Sequence, residues 1–201
     1  MGIRQKIIGL FLLASPLVYS QEKPCYFQSS LLRASATIAP TRFYRQETTV
    51  ALINGFVEYV LENRISVRGE GNIMAPNGKL VYTNSPEKFP RNFTSIYAGF
   101  GYHLGKRNWK FDLHAEPGIA ISEMAQQPFL IAPVAYQWSV SPSYMLKGGT
   151  SFYFSRYCHF FAEINFSNGW IRKTPLSSVS IAQYGISAGL GFHLITQKHH
   201  E

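Results

Sequence analysis

After residue 20 this sequence has no apolar run long enough to cross a bilayer as a helix, which takes about 20 residues. The remaining way through a membrane is a closed β-barrel, because only helices and barrels satisfy every backbone polar group in lipid. Charge is sparse as well: 15% of residues are Asp, Glu, Lys or Arg, fewer than a fully solvated surface carries. Two cysteines, Cys25 and Cys158, are compatible with an oxidising compartment but too few for a disulfide framework. Cys25 follows Glu22-Lys23-Pro24, where a lipidation site would have small apolar residues. The six histidines are dispersed and show no zinc-ligand spacing. The sequence also lacks a G-x-x-x-x-G-K phosphate loop and any nucleic-acid motif. No cofactor, metal or nucleic-acid partner is therefore expected.

What the chain does have begins at its N-terminus. Arg4 and Lys6 precede an uncharged run, Ile7 to Leu13, followed by Pro16 and then Val18-Tyr19-Ser20. A basic start, a short apolar stretch and a small residue at the exit form the pattern of a secretory signal peptide. Residues 1–20 are thus read as the signal peptide and 21–201 as one barrel domain with short N- and C-terminal tails. Loss of Arg4 and Lys6 takes the formal net charge from +8 to +6. For an exported chain, that excess points to lipid phosphate as a partner.

Period-two alternation dominates the rest. Ala182, Tyr184, Ile186, Ala188, Leu190, Phe192 and Leu194 share one face; Gln183, Gly185, Ser187, Gly189, Gly191 and His193 share the other. The segment from Trp109 to Ile121 alternates equally cleanly, with Lys110, Asp112, His114 and Glu116 on its polar face. Eight strands follow, at about 28–40, 47–61, 65–75, 93–104, 109–122, 138–154, 158–171 and 178–195. Connections after the second, fourth and sixth are tight, whereas 76–92 and 123–137 are long. Short turns at one end and longer loops at the other are the layout of bacterial outer-membrane barrels, with the tight turns and both termini in the periplasm.

A soluble barrel alternates too. Two features favour the membrane. Tyr59, Tyr102, Trp109, Phe154, Phe160 and Phe192 share the apolar parity beside the tight turns, making an aromatic girdle. The opposite faces mix charges with glycine and serine, which suits a narrow eight-stranded interior. The predicted fold is all-β: an eight-stranded antiparallel up-and-down transmembrane barrel. With its signal peptide, strand count and closing segment Tyr184-Gly185-Ile186-Ser187-Ala188-Gly189-Leu190-Gly191-Phe192, the chain resembles small outer-membrane barrels of the OmpA/OmpX-like class over residues 26–195. The resemblance implies a Gram-negative cell outer membrane. It also implies recognition of the aromatic at the end of the last strand by the outer-membrane assembly machinery. Such chains often stop there; this one runs on through Lys198-His199-His200-Glu201.

Three groups of residues invite a functional reading. Arg33, Glu58, Arg68, Glu70, Lys110, Asp112, His114, Glu116 and Glu163 fall on inward parity and form a candidate lumen polar network. If Leu61 faces Ile65, Glu58 lies opposite Arg68; if Leu104 faces Trp109, His103 lies opposite Lys110 and Gly101 opposite Asp112. Such a network either fills the barrel with paired charges or lines a narrow pore. Asn165-Phe166-Ser167-Asn168-Gly169 resembles the His-x-Ser-Asn segment of PagL-type lipid A deacylases, in which the histidine would be the base. Here Asn165 takes that position and cannot accept a proton as a base, and no acid follows Glu163 until Glu201. Ser167 is therefore assigned no catalytic role. Arg42, Arg45, Lys79, Lys88, Arg91, Arg172 and Lys173 gather towards the long loops, where they would meet lipopolysaccharide phosphates or simply solvent. The expected function is a non-enzymatic outer-membrane protein with a structural or surface-interaction role. The alternatives are a PagL-like enzyme, a narrow pore and an export-apparatus component.

Overall fold

The computed structural model describes residues 25–62, 64–81, 92–126, 135–174 and 177–196. The expected signal peptide at residues 1–20, residues 197–201 and most of the long connections lie outside these residues. The strands are β1 (Leu31–Phe43), β2 (Thr48–Val60), β3 (Ile65–Val81), β4 (Asn92–Leu104), β5 (Trp109–Gln126), β6 (Ala135–Tyr153), β7 (Cys158–Thr174), β8 (Ser177–Ser180) and β9 (Gln183–Ile195). Each of β1 to β7 pairs antiparallel with the next, β7 pairs with β9, and β9 closes onto β1. The result is an eight-stranded closed antiparallel barrel, sealed where β9 pairs with both β7 and β1.

The expected eighth strand is interrupted. Ile181 and Ala182 break it into β8, which pairs with the outer part of β7, and β9, which pairs with the rest. Ile181 turns its side chain into the interior, where it is buried against Phe43 and Phe93. Strands β3, β5, β6 and β7 extend beyond the predicted limits into what the sequence presents as loop. The turns after β2, β4 and β6 sit at one end with the start of β1 and the end of β9, here called the turn end; the β1–β2 turn and the opposite ends of the strands define the loop end.

Alternation of side chains decides which face is which. Outward positions carry large apolar residues in full exposure, such as Phe192 at 68%, Ile164 at 66% and Val140 at 66%. Inward positions carry most of the buried charge: Arg33, Glu58, Arg68, Asp112 and Glu163 are all at or below 3%. This inverts the usual arrangement of a water-soluble protein. The six aromatics assigned to a girdle, Tyr59, Tyr102, Trp109, Phe154, Phe160 and Phe192, all point outward near the turn end. Trp138, Tyr144, Phe166, Trp170 and Tyr184 make a matching outward set towards the loop end.

The first hairpin has the predicted register, with Glu58 opposite Arg68 and Phe56 opposite Glu70. The second does not. Leu104 faces Phe111 rather than Trp109, so His103 lies opposite Asp112 and Gly101 opposite His114. The turn between them contains two left-handed residues, Gly105 at φ 116° and Arg107 at φ 49°. Glycine takes that conformation at little steric cost, and the connection consumes two more residues than alternation alone predicts.

Candidate functional site

The interior is stacked in layers. At the turn end the segment before β1 enters the barrel mouth, where Phe27, Leu31, Val60 and Tyr153 form a buried apolar cluster. Phe27 packs edge-on against His103 and Tyr153, with centroids 5.1 and 5.4 Å away. Tyr26 is tethered by its N–H, which donates to Asn108 Oδ1 at 2.7 Å. Towards the loop end a second buried apolar cluster, Phe43, Val50, Leu52, Phe93, Ala120 and Ile181, lies inside the barrel. Between them lie two ionic layers.

Arg33 is the hub of the first. Its Nε donates to Glu58 Oε2 at 2.6 Å, and its Nη atoms donate to Asp112 Oδ2 at 3.2 and 3.3 Å. Its Nη1 also reaches Ser151 Oγ at 3.0 Å and Tyr153 OH at 2.8 Å. His103 closes the ring, with Nδ1 at 2.7 Å from Asp112 Oδ1 and Nε2 at 2.9 Å from Glu58 Oε1. Arg68 is the hub of the second. It forks onto Glu163 at 2.7 and 3.0 Å and onto Glu70 at 2.8 Å, while Lys147 bridges the same two carboxylates. The Arg68 guanidinium lies 3.7 Å from the Phe56 ring centroid, a cation–π contact that caps the layer.

All nine residues of the predicted network point inward and are buried, but they are not one constellation. Arg33, Glu58 and Asp112 belong to one layer; Arg68, Glu70 and Glu163 to the other. Glu58 approaches Arg68 only to 3.8 Å and is held chiefly by Arg33. Among the described residues Glu116 makes no hydrogen bond, although its Oε1 is 3.6 Å from Arg68 Nε, and neither nitrogen of His114 has a hydrogen-bond partner. Lys110 stands apart at the turn-end mouth, donating to the Gly105 carbonyl at 3.2 Å with its ammonium over the Phe27 ring. Lys147, Ser151 and Tyr153 were absent from the predicted set. The signal was available: Met145, Lys147, Gly149, Ser151 and Tyr153 continue the inward parity of β6.

Ser167 faces the interior, 2% exposed, and accepts a hydrogen bond from Gln183 Nε2 at 2.7 Å. Among the described residues no group of three metal-ligating side chains converges, and Cys25 and Cys158 are both free thiols. Of the loop-end cations, Arg42 and Arg45 are exposed and make no ion pair among the described residues. Lys79 lies on β3, and Arg172 and Lys173 on β7. Lys88 and Arg91 lie outside the described residues.

No family model matches the sequence, and no curated protein does. Solved structures do match in shape. Neisserial surface protein A superposes with a TM-score of 0.57 at 13% identity, over 82% of this chain and 96% of that one. The N-terminal β-barrel domain of Pseudomonas aeruginosa OprF gives a TM-score of 0.48 at 12% identity, covering 83% and 99%. Yersinia pestis Ail, the attachment invasion locus protein, gives 0.47 at 12% identity, covering 82% and 97%. These neighbours are outer-membrane β-barrels, and the fold of this chain is that of the small eight-stranded, OmpA/OmpX-like kind.

Proposed function

We propose that this chain is an integral outer-membrane protein whose filled barrel serves a structural or surface-interaction role, without catalysis and without an open pore. The observation that carries the reading is the inverted distribution of polarity. The outer wall is apolar with aromatics towards both ends, and the interior is charged. Only a lipid surround makes that arrangement favourable, since each large apolar side chain left in water forgoes about 1.5–3 kcal/mol. Export would proceed through the signal peptide at residues 1–20, with the turn end left in the periplasm and the loop end outside.

The interior favours a structural role over conduction. Two apolar clusters cap two cross-linked ionic layers, so an ion crossing the barrel would have to displace both caps and the paired charges between them. The enzymatic alternative finds no support at Ser167, which is turned away from lipid and has an amide as its polar partner.

Refolding into lipid vesicles tests the reading directly. A folded membrane barrel migrates differently on a gel before and after boiling, and gives no stepwise conductance in a planar bilayer. Failure to insert into any bilayer would refute the membrane assignment, and stepwise channels would refute the filled interior. Lipid A mass spectra of cells with and without the protein should be identical; loss of an acyl chain that depends on it would restore the enzyme.

A further inference from the structure

The outer wall is not evenly covered. Gly148 and Thr150 on β6, Ala162 on β7 and Ala188 on β9 leave a groove of about 690 Å³, walled by Phe111, Ile164, Ile186 and Ile38. The groove follows the row of directly opposed residues Phe111–Thr150–Ala162–Ala188 across neighbouring strands. Because the strands of a barrel tilt, such a row climbs as it crosses them. The groove starts at Phe111, two residues into β5 from the turn end, and its lining reaches Pro40, three residues short of the loop end of β1.

What lies above that upper end decides the occupant. Arg42 is the next outward residue on β1, a rise of about 7 Å beyond Pro40, and its strand neighbour on β9 is the exposed Tyr184. Arg45 follows in the adjoining turn, also exposed. A trough with an apolar lining thus leads up to arginines beside an interfacial aromatic, where a guanidinium can fork onto a phosphate. A second groove, floored by Gly55, Gly69, Gly71 and Ala98, has no such head among the described residues. It climbs β4 towards Asn92, which is hydrogen-bonded to the acidic Glu123.

We propose that the first groove is the seat of one molecule of a phosphorylated, multiply acylated glucosamine lipid, the lipid A type. One acyl chain lies along Ala162 and Ala188, and a phosphate is held by Arg42 with Arg45 beside it. The assignment rests on the outer-membrane reading above, which places the loop end in the leaflet that carries such lipid. Charge selects a phosphorylated headgroup, and the shallow floor accommodates a chain that a row of leucines would exclude.

The test is native mass spectrometry of the refolded chain in detergent with lipid A, phosphatidylglycerol or phosphatidylcholine. One lipid A molecule should stay bound where phosphatidylcholine does not, and phosphatidylglycerol should be retained less than lipid A. Arg42→Ala and Ala162→Phe should each lower lipid A retention about tenfold, the equivalent of one charge-assisted hydrogen bond. Ala98→Phe, which fills the second groove, should leave retention unchanged. Equal retention of all three lipids, indifference to Arg42→Ala, or equal weakening by Ala98→Phe would overturn the proposal. Heat-modifiable migration of every variant separates the two readings. A barrel that inserts but holds no lipid A removes the groove alone, whereas one that never inserts removes the membrane assignment.

Discussion

At the scale of residues, the buried arginines are worth more than a count of salt bridges conveys. A buried ion pair gains little over a well-packed apolar pair, but removing one partner strands the other charge at a cost of about 3–5 kcal/mol. Arg68 has Glu163 and Glu70 as direct partners, so Arg68→Gln should lower unfolding stability in vesicles by that amount. Glu116→Gln, in the same layer, removes no hydrogen bond and should cost less than about 1 kcal/mol. The two layers also make a double-mutant comparison informative. Arg33 and Glu58 are 2.6 Å apart, Glu58 and Arg68 3.8 Å. Coupling from urea unfolding should therefore be about 2–3 kcal/mol for the first pair and less than about 1 kcal/mol for the second. Equal couplings would mean that the interior is one interchangeable network rather than two layers.

At the scale of elements, the first hairpin was legible from sequence and the second was not, for a definable reason. Facing residues of paired strands must point the same way, which excludes any register slipped by one residue. Parity is blind to a slip of two. For β2 and β3 the shortest turn compatible with parity is the one formed, which sets Glu58 against Arg68. For β4 and β5 the left-handed pair Gly105 and Arg107 takes up two more residues. That moves His103 onto Asp112, and the first ionic layer depends on this shift. Charged lumen residues were readable because parity marks them, but their partners were not. Arg33 and Asp112 are 79 positions apart and meet only across the closed barrel. Phe27 was hidden altogether, since it precedes the first strand and belongs to no alternating pattern. Its seat in the mouth, 4% exposed, gives the element a measurable weight. Phe27→Ala should cost about 3–5 kcal/mol, as aromatic deletions from packed cores do, seen as a lowered urea midpoint. A change below about 1 kcal/mol would show that the N-terminal segment does not cap the folded barrel.

At the scale of the whole molecule, the decisive property is the depth dependence of polarity along the outer wall. In water, an exposed apolar residue changed to arginine is neutral or mildly favourable wherever it lies. In a bilayer the same change is costly at mid-depth, about 2–4 kcal/mol, and falls to about 0–1 kcal/mol near the interfaces. Strand β9 provides a ruler, because Leu194, Leu190, Ile186 and Tyr184 all point outward at successive heights from turn end to loop end. Leu194 lies beyond Phe192 of the turn-end aromatics, and Tyr184 belongs to the loop-end set, so these two should mark the borders. Arginine substituted singly at Leu190 or Ile186 should lower the unfolding free energy in vesicles by the mid-depth amount. Leu194→Arg and Tyr184→Arg should cost little beyond the lost side-chain contacts. The profile needs no knowledge of loops, ligands or partners, since each variant differs only in where one charge meets the surround. A flat profile would mean that the apolar wall faces something other than lipid, and the charged interior would then need a different physical account.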